Sequence, residues 1–131
     1  GFECHFIDDE PTLMWSKLVF LAPFALSTTA ADKTTGEILA DPEWRELGLD
    51  CLREVCAVAL AEGAKVDAEA VIAGVMKMPG NMRSSMQKDV AQHKAPELDA
   101  IAGPILRGAA RHGIDVPVTR KLVAAVELRA K

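Results

Sequence analysis

Apolar residues recur along this chain mostly at three- and four-residue intervals, the spacing that lines one face of an α-helix. Alternation, the mark of a half-buried strand, appears only loosely, over Phe2 to Ile7, which reads as a short extended piece. The first long apolar stretch is Met14-Trp15-Ser16-Lys17-Leu18-Val19-Phe20-Leu21-Ala22-Pro23-Phe24. Asp8, Asp9 and Glu10 precede Pro11, placing carboxylates at the positive end of a helix dipole and Pro in the first turn. A helix is therefore expected from there to about Ala30. Pro23 lies inside it, where it removes the bond to the Val19 carbonyl and predicts a kink.

Asp32 to Asp41 reads as a turn-rich connection around Gly36. Asp41-Pro42-Glu43 repeats the start signal of cap, proline and acid. Trp44, Leu47, Cys51, Val55, Val58 and Ala59 then mark the buried face of a second long helix, ended by Glu62-Gly63 with Gly in the left-handed position. Asp67 caps a third helix whose apolar set is Ala68, Val71, Ile72, Val75 and Met76. Met78-Pro79-Gly80-Asn81 is the clearest break in the chain. A short polar helix is expected over Met82 to Val90, interrupted at Lys94-Ala95-Pro96-Glu97. Leu98, Ile101, Ala102, Ile105, Leu106 and Ala109 mark an amphipathic helix ending at His112-Gly113, and Val116-Pro117 opens a last one bearing Val118, Leu122, Ala125 and Val126. The pattern predicts one all-α domain of about six helices over residues 1–131, without repeats or an internal linker.

Composition sharpens this. Half the residues are hydrophobic and Tyr is absent, which favours helices over sheets. A net charge of −4 and the lack of a basic stripe argue against a nucleic-acid partner. The apolar run Leu18 to Leu26 is too short to span a bilayer, and the acids ahead of it do not fit a signal peptide. Cys51 and Cys56 diverge on one helix and read as apolar filler in a reducing cytoplasm. Cys4-His5 lacks a second ligand pair, so no metal site is expected. The chain opens on Gly1, not Met, and is expected to be the excised part of a longer protein.

The groups able to carry chemistry are Lys17, Asn81, Ser84, Ser85, Asp89, Glu97 and Asp99. Lys17 stands at the mouth of an apolar run, where it either snorkels, with its stem on apolar surface, or serves as a reactive lysine in a cleft. Glu97 sits where the helix of Leu98 begins, a position that also suits a carboxylate stabilising the helix dipole. No phosphate-binding Gly loop, nucleophile elbow or paired-His motif is present.

Taken together, Trp15-Ser16-Lys17-Leu18, Asn81-Met82-Arg83-Ser84-Ser85-Met86-Gln87-Lys88-Asp89, Glu97-Leu98-Asp99-Ala100-Ile101-Ala102-Gly103 and His112-Gly113-Ile114-Asp115-Val116-Pro117 resemble the C-terminal domain of the ketopantoate reductase family, in order and spacing along essentially the whole chain. The resemblance implies an all-helical domain, like those of 6-phosphogluconate-dehydrogenase-like reductases, that closes over a 2-oxo-acid substrate in an NADPH-dependent enzyme of pantothenate biosynthesis. It implies that NADPH is bound by an N-terminal Rossmann domain absent from this chain, that Phe2 to Ile7 is the crossing from that domain, and that these 131 residues alone are inactive. Lys17 corresponds to the catalytic lysine, Ser85 and Glu97 to substrate-binding residues, and Asn81 and Asp89 to supporting positions. Family members place Asn four and eight residues after the lysine; Leu21 and Ala25 stand there in this chain, which implies a more apolar 2-oxo acid. The alternative expectation is a helical dimerisation module without catalysis, a homodimer formed through the apolar faces of the helices that begin at Trp44 and at Leu98.

Overall fold

The computed structural model describes residues 10–77 and 98–130, and the helices that begin at Thr35, Pro42, Ala68 and Pro117 start where side chains receive their first free N–H groups. The described residues form α1 (Glu10–Ala31), α2 (Thr35–Ala40), α3 (Pro42–Ala61), α4 (Ala68–Met76), α5 (Leu98–His112) and α6 (Pro117–Ala130), with no strand among them. Asp41 Oδ1 accepts from the N–H groups of Glu43 (3.0 Å) and Trp44 (3.4 Å), with Pro42 following it in the first turn. Asp67 does the same for α4 through Glu69 N–H at 3.0 Å. Gly63 (φ 94°) and Gly113 (φ 64°) take the left-handed conformation after α3 and α5, which lets Ala64 N–H reach Ala59 O at 3.0 Å and Ile114 N–H reach Ala109 O at 2.9 Å. Asp32 (φ 54°) fills that role after α1, with Lys33 N–H on Thr28 O at 3.1 Å.

The connection expected around Gly36 is instead the short helix α2. Its cause is a capping box: Thr34 Oγ1 accepts from Glu37 N–H (3.3 Å) while Thr34 N–H donates to Glu37 Oε1 (2.9 Å). Buried Ile38 then fixes the turn against the core. α1 and α5 both run on through an internal proline, Pro23 and Pro104. The short polar helix expected over Met82 to Val90, the extended piece at Phe2 to Ile7 and Cys4-His5 all lie outside the described residues.

The core sits between α1, α3, α5 and α6. Trp15, Val19, Ala22 and Leu26 of α1 meet Leu52, Val55, Val58 and Ala59 of α3, with Ile105 and Ala109 of α5 and Leu122 and Val126 of α6 closing the other sides. Gly108 is required where α5 crosses α3, because a Cβ there would stand 2.7 Å from Val58 Cγ1. α4 is peripheral: Val71, Ile72 and Val75 are half-buried against the core, and Met76, expected inside, is exposed. Thr12 to Ala31 of α1 is long and apolar enough to cross a membrane, but half of that stretch is buried in the bundle, as befits a core helix.

The packing also bears on the expected homodimer. On the apolar faces of α3 and α5, Val55, Val58, Ile105 and Ala109 are fully buried inside the chain, while Trp44, Leu47, Ile101 and Leu106 are half-buried.

Candidate functional site

At 100° per residue, α1 turns Trp15, Val19, Ala22 and Leu26 to the core and sets Lys17 diametrically opposite. Leu13, Met14, Phe20, Leu21 and Phe24 all fall within about 60° of Lys17 around the helix. Leu13, Met14 and Leu21 are 57%, 49% and 47% exposed, and Phe20 and Phe24 are half-buried. Lys17 itself is exposed and makes no ion pair or hydrogen bond to any described residue. It is therefore one cation at the centre of an otherwise apolar stripe. Lys17 lies opposite the core, with the exposed Leu13, Met14 and Leu21 and the half-buried Phe20 and Phe24 as its neighbours.

The two positions four and eight residues beyond Lys17 differ sharply in environment. Leu21 is at the surface beside the lysine, whereas Ala25 is 5% exposed and belongs to the core. The polar residues further along do not restore hydrogen bonding near Lys17. Ser27, Thr28 and Thr29 are all buried, and Thr28 Oγ1 donates to the Phe24 carbonyl of its own helix at 2.7 Å. Ser27 Oγ is buried without a hydrogen-bond partner, at the wall of an apolar cleft that Phe24, Ile38, Leu49 and Val75 also line.

Of the other residues singled out in the sequence, Asn81, Ser84, Ser85, Asp89 and Glu97 lie outside the described residues, so the structure places Lys17 and none of its expected partners. Among the described residues there is also no strand, and so no strand–turn–helix crevice to cradle a dinucleotide pyrophosphate.

Two carboxylates that no local pattern marked organise the far side of the bundle. Glu54, on α3, receives the first N–H groups of α6: Val118 N–H donates to Oε2 at 3.0 Å and Thr119 N–H to Oε1 at 2.8 Å. The Thr119 hydroxyl also donates to Glu54 Oε1 at 2.8 Å, which leaves it to accept from the Cys51 thiol at 3.4 Å. Burial pushes the Cys51 thiol up to about 12, and the Glu54 charge adds to the rise. Burial, with Asp67 nearby, raises Cys56 as well, so both thiols are inert at neutral pH. Glu62, at the end of α3, is bound by Arg111 and by His112 Nε2 (2.7 Å) at the end of α5. Hydrogen bonds from Arg111, then His112, hold its carboxyl below the usual range. The signal for both contacts is spatial, since the partners stand about fifty or more residues apart.

Comparison with known proteins places this arrangement. The family described as ketopantoate reductase PanE/ApbA C terminal matches residues 11–130. The 2-dehydropantoate 2-reductase of Caulobacter vibrioides is 33% identical over 131 residues, covering 98% of this chain and 44% of its own length. The PanE/ApbA family ketopantoate reductase of Ralstonia eutropha superimposes with a TM-score of 0.80 at 30% identity, over 91% of this chain and 41% of that one. A dimeric ketopantoate reductase from Staphylococcus aureus gives a TM-score of 0.82 at 26% identity, over 91% and 43%. The chain thus spans less than half the length of each of these relatives.

Proposed function

The chain belongs to the ketopantoate reductase PanE/ApbA C-terminal family, and from that premise we propose that it forms the substrate-side domain of a reductase of 2-oxo acids. The observation that carries the reading is Lys17, an exposed cation opposite the core on a helix that is apolar on both faces. A helix hydrophobic all round is built to be covered on both sides, and a 2-oxo acid together with a second domain would cover this one.

NADPH, held by an N-terminal Rossmann domain, would supply the hydride. At the substrate, C2 gains that hydride, the π pair of the carbonyl moves onto oxygen, and the growing negative charge faces the Lys17 ammonium. The ammonium stabilises the oxyanion and transfers a proton to it, giving the 2-hydroxy acid and a neutral amine that regains its proton from water. The apolar residues around Lys17 exclude water once the site is closed, which strengthens that interaction. In this reading Ser85 contacts the substrate and Glu97 binds it while keeping Lys17 charged and oriented. Asn81 and Asp89 support the segment that carries them.

Support comes from the match along residues 11–130, which spans Lys17, Ser85 and Glu97 alike. The test is direct. The full-length protein should oxidise NADPH in the presence of 2-oxo acids, and residues 1–131 alone should not. No consumption with any 2-oxo acid, or reduction by the isolated helices, would refute the proposal.

A further inference from the structure

We propose a second ligand site, away from Lys17: the cleft between α1, α2, α3 and the last turn of α4 takes the hydroxyl- or carbonyl-bearing end of a small aliphatic molecule, which pairs with Ser27 Oγ. Ser27 is 3% exposed, and its Oγ has no hydrogen-bond partner. A buried hydroxyl left in that state is costly. A serine or threonine inside a helix can bond the carbonyl four residues back, as Thr28 does to Phe24 O at 2.7 Å. Ser27 makes no such bond to Pro23, and its oxygen faces α3, where Gly48 stands. A Cβ on Gly48 would come within 3.2 Å of Ser27 Oγ, tighter than ordinary contact, so the glycine keeps the approach to the hydroxyl open.

The walls decide the chemistry of the occupant. Phe24, Ile38, Leu49 and Val75 line the cleft with Ser27, and the two threonines at its edge, Thr28 and Thr35, have partners already. A water molecule needs about two to four polar partners, and these walls offer it little besides Ser27. A wholly apolar molecule leaves the hydroxyl unpaired. One hydrogen-bonding atom on an aliphatic body answers both demands. The cleft measures about 40 Å³, well short of the roughly 150 Å³ that takes an aromatic ring, so the body has about two or three carbons. Arg45, half-buried on the same face of α3 as Gly48 and Leu49, adds a positive charge that disfavours an amine. Ser27 lies ten residues past Lys17, about 15 Å along the axis of α1, so a small 2-oxo acid held at the ammonium does not reach it.

The experiment titrates 2-propanol into the full-length protein, isotope-labelled on its Ile, Leu and Val methyl groups, and follows it by NMR. The methyl signals of Ile38, Leu49 and Val75 should move saturably, while those of Leu122 and Val126, in the core on α6, stay in place. Ser27→Ala should weaken the 2-propanol affinity about fivefold, the loss of one hydrogen bond. Xenon, which forms none, should shift the same methyls equally in wild type and variant, which separates loss of the hydroxyl from loss of the cleft. Gly48→Ala, which crowds Oγ, should weaken 2-propanol as well. Cleft methyls that do not move in wild type overturn the site. Equal 2-propanol affinity in wild type and Ser27→Ala overturns the pairing with Ser27, and so does a variant that loses 2-propanol and xenon alike. None of these signals reports on turnover, so each outcome stands apart from the fate of the reductase reading.

Discussion

On one side of α1, Trp15, Val19, Ala22 and Leu26 are wholly buried; on the other, Leu13, Met14 and Leu21 stand about half exposed around Lys17, although the two sets are equally apolar. The difference teaches that hydrophobicity alone does not say which face of such a helix is core. On α3 the polar residues name the outside: Arg53 is exposed while Leu52, Val55 and Cys56 are buried. On α1 only Ser16 and Lys17 interrupt the apolar run from Leu13 to Leu26, and it is the packing of α3 and α6 against Trp15, Val19 and Leu26 that settles the matter. The face left over costs solvation, and a chain retains that cost where the surface is used.

Substitutions on the two faces should separate them. Leu26→Ala, on the core side, is expected to lower stability by about 2–5 kcal/mol in chemical denaturation, the cost of a buried leucine and its cavity. Leu13→Ala, on the Lys17 side, should change it by no more than about 0.5 kcal/mol. Equal losses would mean that the exposed face is structural after all.

A smaller effect is expected at the seam between α3 and α6, where one side chain does the work of a cap. Glu54→Ala strands the N–H groups of Val118 and Thr119, and should cost about 1–3 kcal/mol. Amide exchange at those two positions should rise with it. Protection of Val118 and Thr119 unchanged in the variant would show that another group caps α6.

The smallest effect is electrostatic. The Glu62 carboxyl is held below its ordinary 4.5 by Arg111 and His112, so the unfolded chain binds a proton there more readily than the folded one. Its stabilisation is full above about pH 5 and fades as pH falls through the lowered folded value. Glu62→Gln should therefore cost under about 1 kcal/mol at pH 7 and progressively less below pH 4.5. A difference from wild type that grows on acidification would contradict the sign.

Most of this fold was legible from spacing. The starts of α3 and α4 follow from Asp41-Pro42 and Asp67, the ends of α3 and α5 from Gly63 and Gly113, and the inward faces of α3, α5 and α6 from three-and-four periodicity. α2 was missed because Gly36 and two threonines outweigh one capping box in any short window, while burial of Ile38 is what stabilises the turn. Trp44 and Leu47 were expected on the buried face but are only half-buried, with Trp44 packed against the core. For the site, the position of Lys17 could be read from the motif around it, but its exposure could not. The distinction between Leu21 and Ala25 was invisible too, because both stand at helical spacing from the lysine and only the packing of α3 and α6 separates them. Glu54 and Glu62 act across chain separations that local patterns do not span.

The central claim is that the exposed face of α1 exists for Lys17. It is tested most directly by comparing the full-length enzyme with its Lys17→Ala variant in two measurements, turnover of a 2-oxo acid and affinity for NADPH. Loss of the ammonium should lower kcat by about 10²–10⁴-fold, the range for a positioned proton donor, and leave NADPH affinity within twofold or so of wild type. A variant that turns over at the wild-type rate would contradict the claim.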